Sequence, residues 1–382
     1  MKNQEALALL KKVVQMETVL GKEKMVADTL EELLTSYGIP CEQVEYSPGR
    51  NSLIATLKGA EEGPVLGLSG HMDVVPVGEV AWDEEPFAAV EKDGLLYGRG
   101  TCDMKAGLIA CVVAMIRLKE ANVPFKGTLK LLATIGEETS AIGAGQLVDL
   151  GYADDLDALV IGEPTNLDIG VAHKGALWPQ ITTYGKTDHG SMPDQGVNAI
   201  EHMLLVINEI KKTFDFGSYV DDLVGASTSS LNVINGGNGT NVVPDKCTIS
   251  LDIRTIKKQN HETLKAQFHD ILEQLEKSVP DFKADIEFIN DLPSIRTDLD
   301  DPFTVLTKKV VSDVRGEEPG TFGMAGYTDG SQFERAKKDF PILIVGPGEP
   351  KNAHQPNEHI KIEDFYKMIT VNEMIAREFL SL

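Results

Sequence analysis

Pro64-Val65-Leu66-Gly67-Leu68-Ser69-Gly70-His71-Met72-Asp73 is an apolar run that stops at a glycine and delivers an imidazole and a carboxylate. Residues 64–69, bounded by Gly63 and Gly70, carry the pattern of a strand covered on both faces. His71 is then expected just past the strand's C-terminal end, the edge where open α/β sheets bind ligands because their loops are free to carry chemistry. Asp73 stands where a carboxylate can hold the His71 ring in one tautomer, as happens behind metal-bound imidazoles. On its own, His-x-Asp more often marks a hydrogen-bonded loop histidine. The reading turns on whether other strands deliver similar groups.

Outward from this strand, residues 43–46, 52–57, 129–135, 158–161 and 341–345 read as further strands, and residues 104–121, apolar on most faces, as a helix buried against a sheet. Leu7, Leu10 and Val14, then Val26, Leu30, Leu33 and Tyr37, recur at helical spacing and predict two leading helices, the second stopped by Gly38 and Pro40. A short strand is expected within residues 82–97, and further helices near 144–150, at 303–314 and at 364–379. Strands alternating with helices predict an α/β fold, a mainly parallel sheet flanked by helices.

Residues 174–290 have a different texture. Strands are expected at 180–184, 230–234, 248–254 and 284–289, with one helix opened by the capping box Asn198-x-x-Glu201 and another carrying Leu264, Phe268, Ile271 and Leu275 on one face. The order β-α-β-β-α-β is the split ferredoxin-like pattern. An α+β domain over 174–290 is therefore expected as an insertion into a larger domain built from 1–173 and 291–382.

A chain of 382 residues with 42% hydrophobic and 25% charged residues has room for two domains of an ordinary globular protein. Its net charge of -23 disfavours nucleic acid, which needs lysine and arginine to displace counterions, and anionic membrane surfaces. No apolar run approaches the roughly 20 residues that span a bilayer, and Met1-Lys2-Asn3-Gln4-Glu5 is polar, so a cytoplasmic protein is expected. Cys41, Cys102, Cys111 and Cys247 lack Cys-x-x-Cys spacing, which predicts buried thiols rather than a zinc knuckle or redox pair.

The other strands do deliver similar groups. Residues 129–135 run into Gly136-Glu137-Glu138, residues 158–161 into Gly162-Glu163-Pro164, and residues 341–345 into a glycine and proline loop that reaches His354. Gly98-Arg99-Gly100-Thr101-Cys102-Asp103 is a glycine-rich turn whose aspartate precedes the buried helix, where an N-cap is the plainer role. Imidazoles and carboxylates without thiolate suit zinc or a similar divalent ion. In a two-metal site one carboxylate bridges cations about 3.5 to 4 Å apart, and the water between them becomes hydroxide near neutral pH. An uncoordinated carboxylate must then move that water's proton to the leaving group. The residues themselves leave open which of Glu137 and Glu138 is base and which is ligand.

His71-Met72-Asp73, Gly98 to Lys105, Gly136-Glu137-Glu138, Gly162-Glu163-Pro164 and Ala353-His354 to Asn357-Glu358 resemble, in this order and over essentially the whole chain, the co-catalytic di-zinc deacylases and peptidases. That family includes succinyl-diaminopimelate desuccinylase, acetylornithine deacetylase, aminoacylase and glutamate carboxypeptidase. The resemblance implies two divalent metal ions per subunit, zinc first, with cobalt or manganese accepting the same ligands. One would be held by His71 and Glu163, the other by Glu138 and His354, with Asp103 bridging, Asp73 orienting His71 and Glu137 as general base. Asp188-His189-Gly190-Ser191-Met192-Pro193 resembles the family's lid and dimerisation domain, whose histidine stabilises the oxyanion in the partner subunit's site. Asn241 and Arg254 lie in segments resembling its substrate-binding strands, Arg254 implied to hold a substrate carboxylate, and Thr328 is expected at the substrate. A homodimer is implied. So is hydrolysis of an N-acyl amino acid, N-succinyl-LL-2,6-diaminopimelate ahead of N-acetylornithine and short peptides. The chain departs from the proteobacterial desuccinylase pattern at Thr328-Asp329-Gly330-Ser331-Gln332-Phe333, where an arginine is absent. A protein that only bound metal would need the ligands but no uncoordinated base beside them.

Overall fold

The apolar run at 64–69 lies in the strand Glu61–His71 of the computed structural model, which describes residues 1–19, 21–122 and 124–380. His71 is thus the last strand residue, paired with Thr134, and not the first loop residue that the glycine suggested. Gly70 does not break the strand. A Cβ there would lie 2.7 Å from Met104 Cε and 3.1 Å from Leu108 Cβ, so the glycine admits the helix Ala106–Ala121 against the sheet.

Two compact units are present, one formed by residues 1–172, 296–323 and 328–382, the other by residues 173–295 and 324–327. The second thus takes residues 173, 291–295 and 324–327, which the sequence pattern grouped with the larger domain.

In the first unit, Lys126–Thr134, Glu61–His71, Ala158–Ile161 and Ile342–Ile344 are successive neighbours, all parallel. The flanks are antiparallel: Cys41–Ser47 on Arg50–Lys58, that strand on Lys126–Thr134, and Ile169–His173 on Ile342–Ile344. The parallel centre is what apolar, unalternating runs demand, since strands such as Ala158–Ile161 are buried at every residue. Residues 82–97 hold an antiparallel pair, Val90–Lys92 and Leu95–Tyr97, rather than one short strand. The helix expected from residue 104 begins at Ala106, after an irregular turn, Thr101–Lys105, in which Asp103 (φ -121°, ψ 98°) and Met104 (φ -132°, ψ 27°) leave helical angles. The leading helices are Asn3–Val14 and Lys24–Ser36, buried through Ala6, Leu10, Val13 and Val14 and through Val26, Ala27, Leu30 and Leu34. Cys102, Cys111 and Cys247 are buried free thiols and Cys41 is partly buried.

The second unit has a four-stranded antiparallel sheet in the order Thr228–Gly236, Lys246–Thr255, Gly175–Tyr184, Lys283–Leu292. Helices Ala199–Thr213 and His261–Ser278 bury Met203, Val206, Phe268 and Ile271 with Ile181, Ile249 and Ile253 of the sheet. That is the β-α-β-β-α-β arrangement expected. Asn198 caps the first helix by accepting from Ile200 N and Glu201 N, as the capping sequence predicted.

Candidate metal centre

Among the described residues, strand ends, a turn and a loop of the first unit place four carboxylates and two imidazoles together. Three overlapping groups have candidate ligand atoms within 4.8 Å of one another: His71, Asp103 and Glu163; Asp103, Glu138 and His354; and His71, Glu137 and Glu138. Asp103 links the first two. Its Oδ1 lies 3.1 Å from His71 Nε2 and its Oδ2 3.2 Å from His354 Nε2. Glu163 Oε1 is 3.5 Å from His71 Nε2, and Glu138 Oε1 2.9 Å from His354 Nε2. Asp103 caps no helix.

The protons on these groups test whether a cation fits. His71 Nδ1 lies 3.0 Å from the Asp73 carbonyl, which can only accept, so the Nδ1 proton is committed there. Neutral His71 therefore turns the lone pair of Nε2 toward oxygens of Asp103 and Glu163. Lone pairs converging in a buried site require protons or a cation between them, and this donor set without thiolate suits zinc, cobalt or manganese.

The charges point the same way. Burial first, then the Glu163 charge, pushes the Glu137 carboxyl well above the usual range, and burial with the Asp103 charge does so for Glu163. Burial alone would lower the His71 value, but the Glu163, Asp103 and Asp73 carboxylates raise it well above the usual. Hydrogen bonds with Asp103 and Glu138 raise His354 to about 10. For Asp103, burial opposes ionisation, yet the two histidines hold its carboxyl below the usual range.

Asp73 has a further connection. Its carboxylate is 3.6 Å from His71 Nδ1, while its two oxygens accept from Glu137 N and Glu138 N at 3.2 Å each. The Asp73 side chain thus caps the short turn Glu137–Thr139, and its backbone carbonyl orients the histidine. Gly136 opens that turn at φ 61°, where a Cβ would lie 2.5 Å from Ile142 Cγ1. The turn sends the adjacent glutamates apart: Glu138 meets His354, while Glu137 is buried and reaches the His71 side.

Sequence reasoning passed over two buried groups. Asp329 accepts from Thr134 Oγ1, and burial pushes its carboxyl up to about 7. Lys105 donates to the Val13 and Met16 carbonyls at 3.1 and 2.7 Å, tying the turn that carries Asp103 to the end of the first helix, and burial lowers it to about 7. An acid beside Thr328 and a lysine ending a glycine-rich turn were visible, but their burial was not. Thr328 is 1% exposed and its hydroxyl accepts from Gly330 N. Gln332 is also buried and accepts from Arg335.

His189, Asn241 and Arg254 belong to the second unit. His189 and Asn241 are close: Gly190 N donates to the Asn241 carbonyl at 2.8 Å, and His189 bridges to Val242. Ser191 N donates to His189 Nδ1 at 3.1 Å, so in the neutral ring the proton sits on Nε2. Arg254 pairs with Asp252, Nε to Oδ1 at 2.8 Å and Nη2 to Oδ2 at 3.1 Å, and Asp252 also accepts from Trp178 Nε1 at 3.0 Å.

A carboxylate shared by two imidazole-carboxylate clusters suits a pair of divalent cations, and the chain is a metal-dependent amidohydrolase. It is a member of Peptidase family M20/M25/M40, matched over residues 67–378. It is 33% identical over 403 aligned residues to the probable succinyl-diaminopimelate desuccinylase of Staphylococcus aureus (strain N315), covering 98% of both chains. It is 32% identical to the acetylornithine deacetylase of Proteus mirabilis (strain HI4320), covering 88% of this chain and 84% of that one. The crystal structure of the Bacillus subtilis dinuclear metal-binding peptidase of the M20 family has the same fold, with a TM-score of 0.74 at 16% identity over 99% of this chain and 98% of that one.

Proposed function

We propose that the chain is a cytoplasmic hydrolase of N-succinyl-LL-2,6-diaminopimelate, releasing succinate and LL-diaminopimelate for lysine and diaminopimelate synthesis. The hydrolytic reading rests on Asp103, with one oxygen on the His71 cluster and the other on the His354 cluster. Choice of the succinyl substrate is supported by the likeness to the Staphylococcus aureus relative along nearly the whole chain. His71 and Glu163 would hold one divalent cation, Glu138 and His354 the other, and Asp103 both. Such a pair, zinc by preference, supplies Lewis acidity toward the amide carbonyl and acidifies water.

The chain's own groups do the rest. Glu137, buried and beside that centre, accepts the proton of the attacking water and passes it to the leaving amine. Asp73 holds Glu137 at its backbone nitrogen. His189, with its proton on Nε2, donates to the developing oxyanion in the partner subunit's site, the role that the family resemblance implies. Arg254 takes the substrate carboxylate in its planar fork, a role for which the substrate must compete with Asp252. Asn241, next to His189, serves the same substrate. Thr328 contributes by shaping the turn before Asp329, since its hydroxyl is already used within that turn.

Rates of the metal-loaded protein on N-succinyl-diaminopimelate, N-acetylornithine and a dipeptide test the assignment. The succinyl compound is expected to give the highest kcat/KM. A clear preference for either of the others would replace the substrate and leave the metal chemistry standing.

The reading includes a homodimer through the second unit. The strand Thr228–Gly236 is exposed at all nine residues and lies at the end of its sheet, with Leu231, Val233 and Ile234 39%, 44% and 54% exposed. Leu204 and Leu205 of the helix Ala199–Thr213 are exposed at 52% and 37%. An apolar edge strand invites a second copy about a two-fold axis. Sedimentation is expected to show a dimer that Val233→Lys with Ile234→Glu converts to monomer. A wild-type monomer at micromolar concentration would rule the interface out.

A further inference from the structure

We infer that Glu358 is a positioning residue of the metal centre, holding from the His354 loop the backbone of the turn that carries Asp103. The inference rests on the reading of Asp103 and His354 as metal ligands. Glu358 is 1% exposed. Its Oε1 accepts from both Cys102 N at 2.8 Å and Asp103 N at 3.0 Å, and its Oε2 accepts from Arg99 Nη1 at 2.6 Å. Its backbone carbonyl also accepts from Gly98 N at 2.9 Å, so the contact spans the glycine-rich turn from end to end.

The turn needs this partner. Cys102 N and Asp103 N lie in Thr101–Lys105, ahead of the helix and with non-helical angles at Asp103 and Met104, and need an acceptor from elsewhere in the chain. Left unpaired in a buried site, those N–H groups would draw the turn toward another conformation. One carboxylate oxygen satisfies both and so fixes the direction in which the Asp103 side chain leaves the backbone. The other oxygen is matched by Arg99, itself 2% exposed, whose Nη2 donates to the Pro76 carbonyl at 3.2 Å and whose guanidinium lies 5.1 Å from the Trp82 ring centroid. Loss of one partner from such a buried pair strands the other, so the two hold each other in place. Of the three groups assigned to one cation, Asp103 is thereby set by a side chain from the same loop that carries His354. The other cation also takes Asp103, but its remaining ligands, His71 and Glu163, lie at strand ends outside this turn and loop.

The two cation positions should therefore respond unequally. Titration of metal-stripped protein with Co²⁺, followed by visible absorption and by metal analysis after gel filtration, is expected to give two retained ions in the wild type. Glu358→Gln keeps the shape but sets an amide N–H against either Arg99 or the two backbone donors. It is expected to fold, to retain one ion, and to bind the second roughly 10- to 100-fold more weakly with an altered absorption band. A role confined to stability would lower Tm and leave both Co²⁺ affinities unchanged, and that result overturns the inference. Should Glu358→Gln not fold, Glu358→Asp, which keeps the charge but shortens the reach, carries the same two outcomes. A wild type that retains fewer than two ions would instead refute the two-metal reading, and this inference with it.

Discussion

Glu137→Ala is expected to leave two metal ions bound per subunit while kcat falls roughly 10²- to 10⁴-fold, the range that a positioned proton carrier supplies. The expectation follows from how the Asp73 carboxylate holds the two glutamates. With their backbone nitrogens fixed on one aspartate, Glu138 is committed to His354 at 2.9 Å. Glu137 is buried among carboxylates, with a pKa pushed upward by burial and by Glu163. A carboxyl whose pKa is raised holds a proton better than an ordinary carboxylate, as a group that takes and returns one must. Glu138→Ala is expected to behave differently, losing metal and activity together. Metal analysis beside single-turnover rates on both variants separates the two glutamates. If Glu137→Ala loses metal and Glu138→Ala retains it, the assignments exchange.

This pair shows what the sequence could and could not convey. That both glutamates belong to the site was legible, because an acidic pair directly after a buried strand is a local pattern. Which one meets His354 was not, since it depends on a turn capped by a carboxylate 64 residues away. Asp103 is similar. The residues showed a glycine-rich turn ahead of an apolar helix, but the turn's path is fixed by Glu358, 255 residues on. The parallel centre of the sheet followed from strands alternating with helices, whereas the antiparallel flanks did not, because a strand's burial pattern reads alike in either direction. The pattern sets His71 one step beyond the strand because Gly70 reads as punctuation, whereas it serves helix packing. The pairing of Arg254 with Asp252 was available from the two-residue period of a strand, which puts both on one face.

Chelation of the metal is expected to abolish hydrolysis, with zinc or cobalt restoring it, and to make the fold lose stability as pH rises. The sign follows from the site's own groups. Glu137 and Glu163 have pKa values raised well above 4.5, His71 well above 6.5, and His354 from 6.5 to about 10. A group whose folded value is raised adds stability that is fully present below its unfolded value and is lost as pH climbs through the folded one. For the glutamates that loss begins above 4.5, and for His354 it spans 6.5 to about 10. Asp103 is shifted the other way, from 3.8 downward, so its contribution is present above 3.8 and is lost only in acid. Between neutrality and pH 10 the stripped centre loses stability as protons leave carboxylates and imidazoles that face one another, while buried Lys105, lowered from 10.5 to about 7, works the other way in stripped and loaded protein alike. Divalent cations replace those protons. Binding to the folded state alone stabilises by about 2.7 kcal/mol for each site at a hundredfold excess over Kd, and metal competes better as the protons leave. Melting curves of chelated and zinc-loaded protein from pH 6 to 9 should diverge, the chelated Tm falling while the loaded one holds. Parallel curves would mean that the cluster does not bind the ions, and full hydrolysis by the stripped protein would end the metal reading altogether.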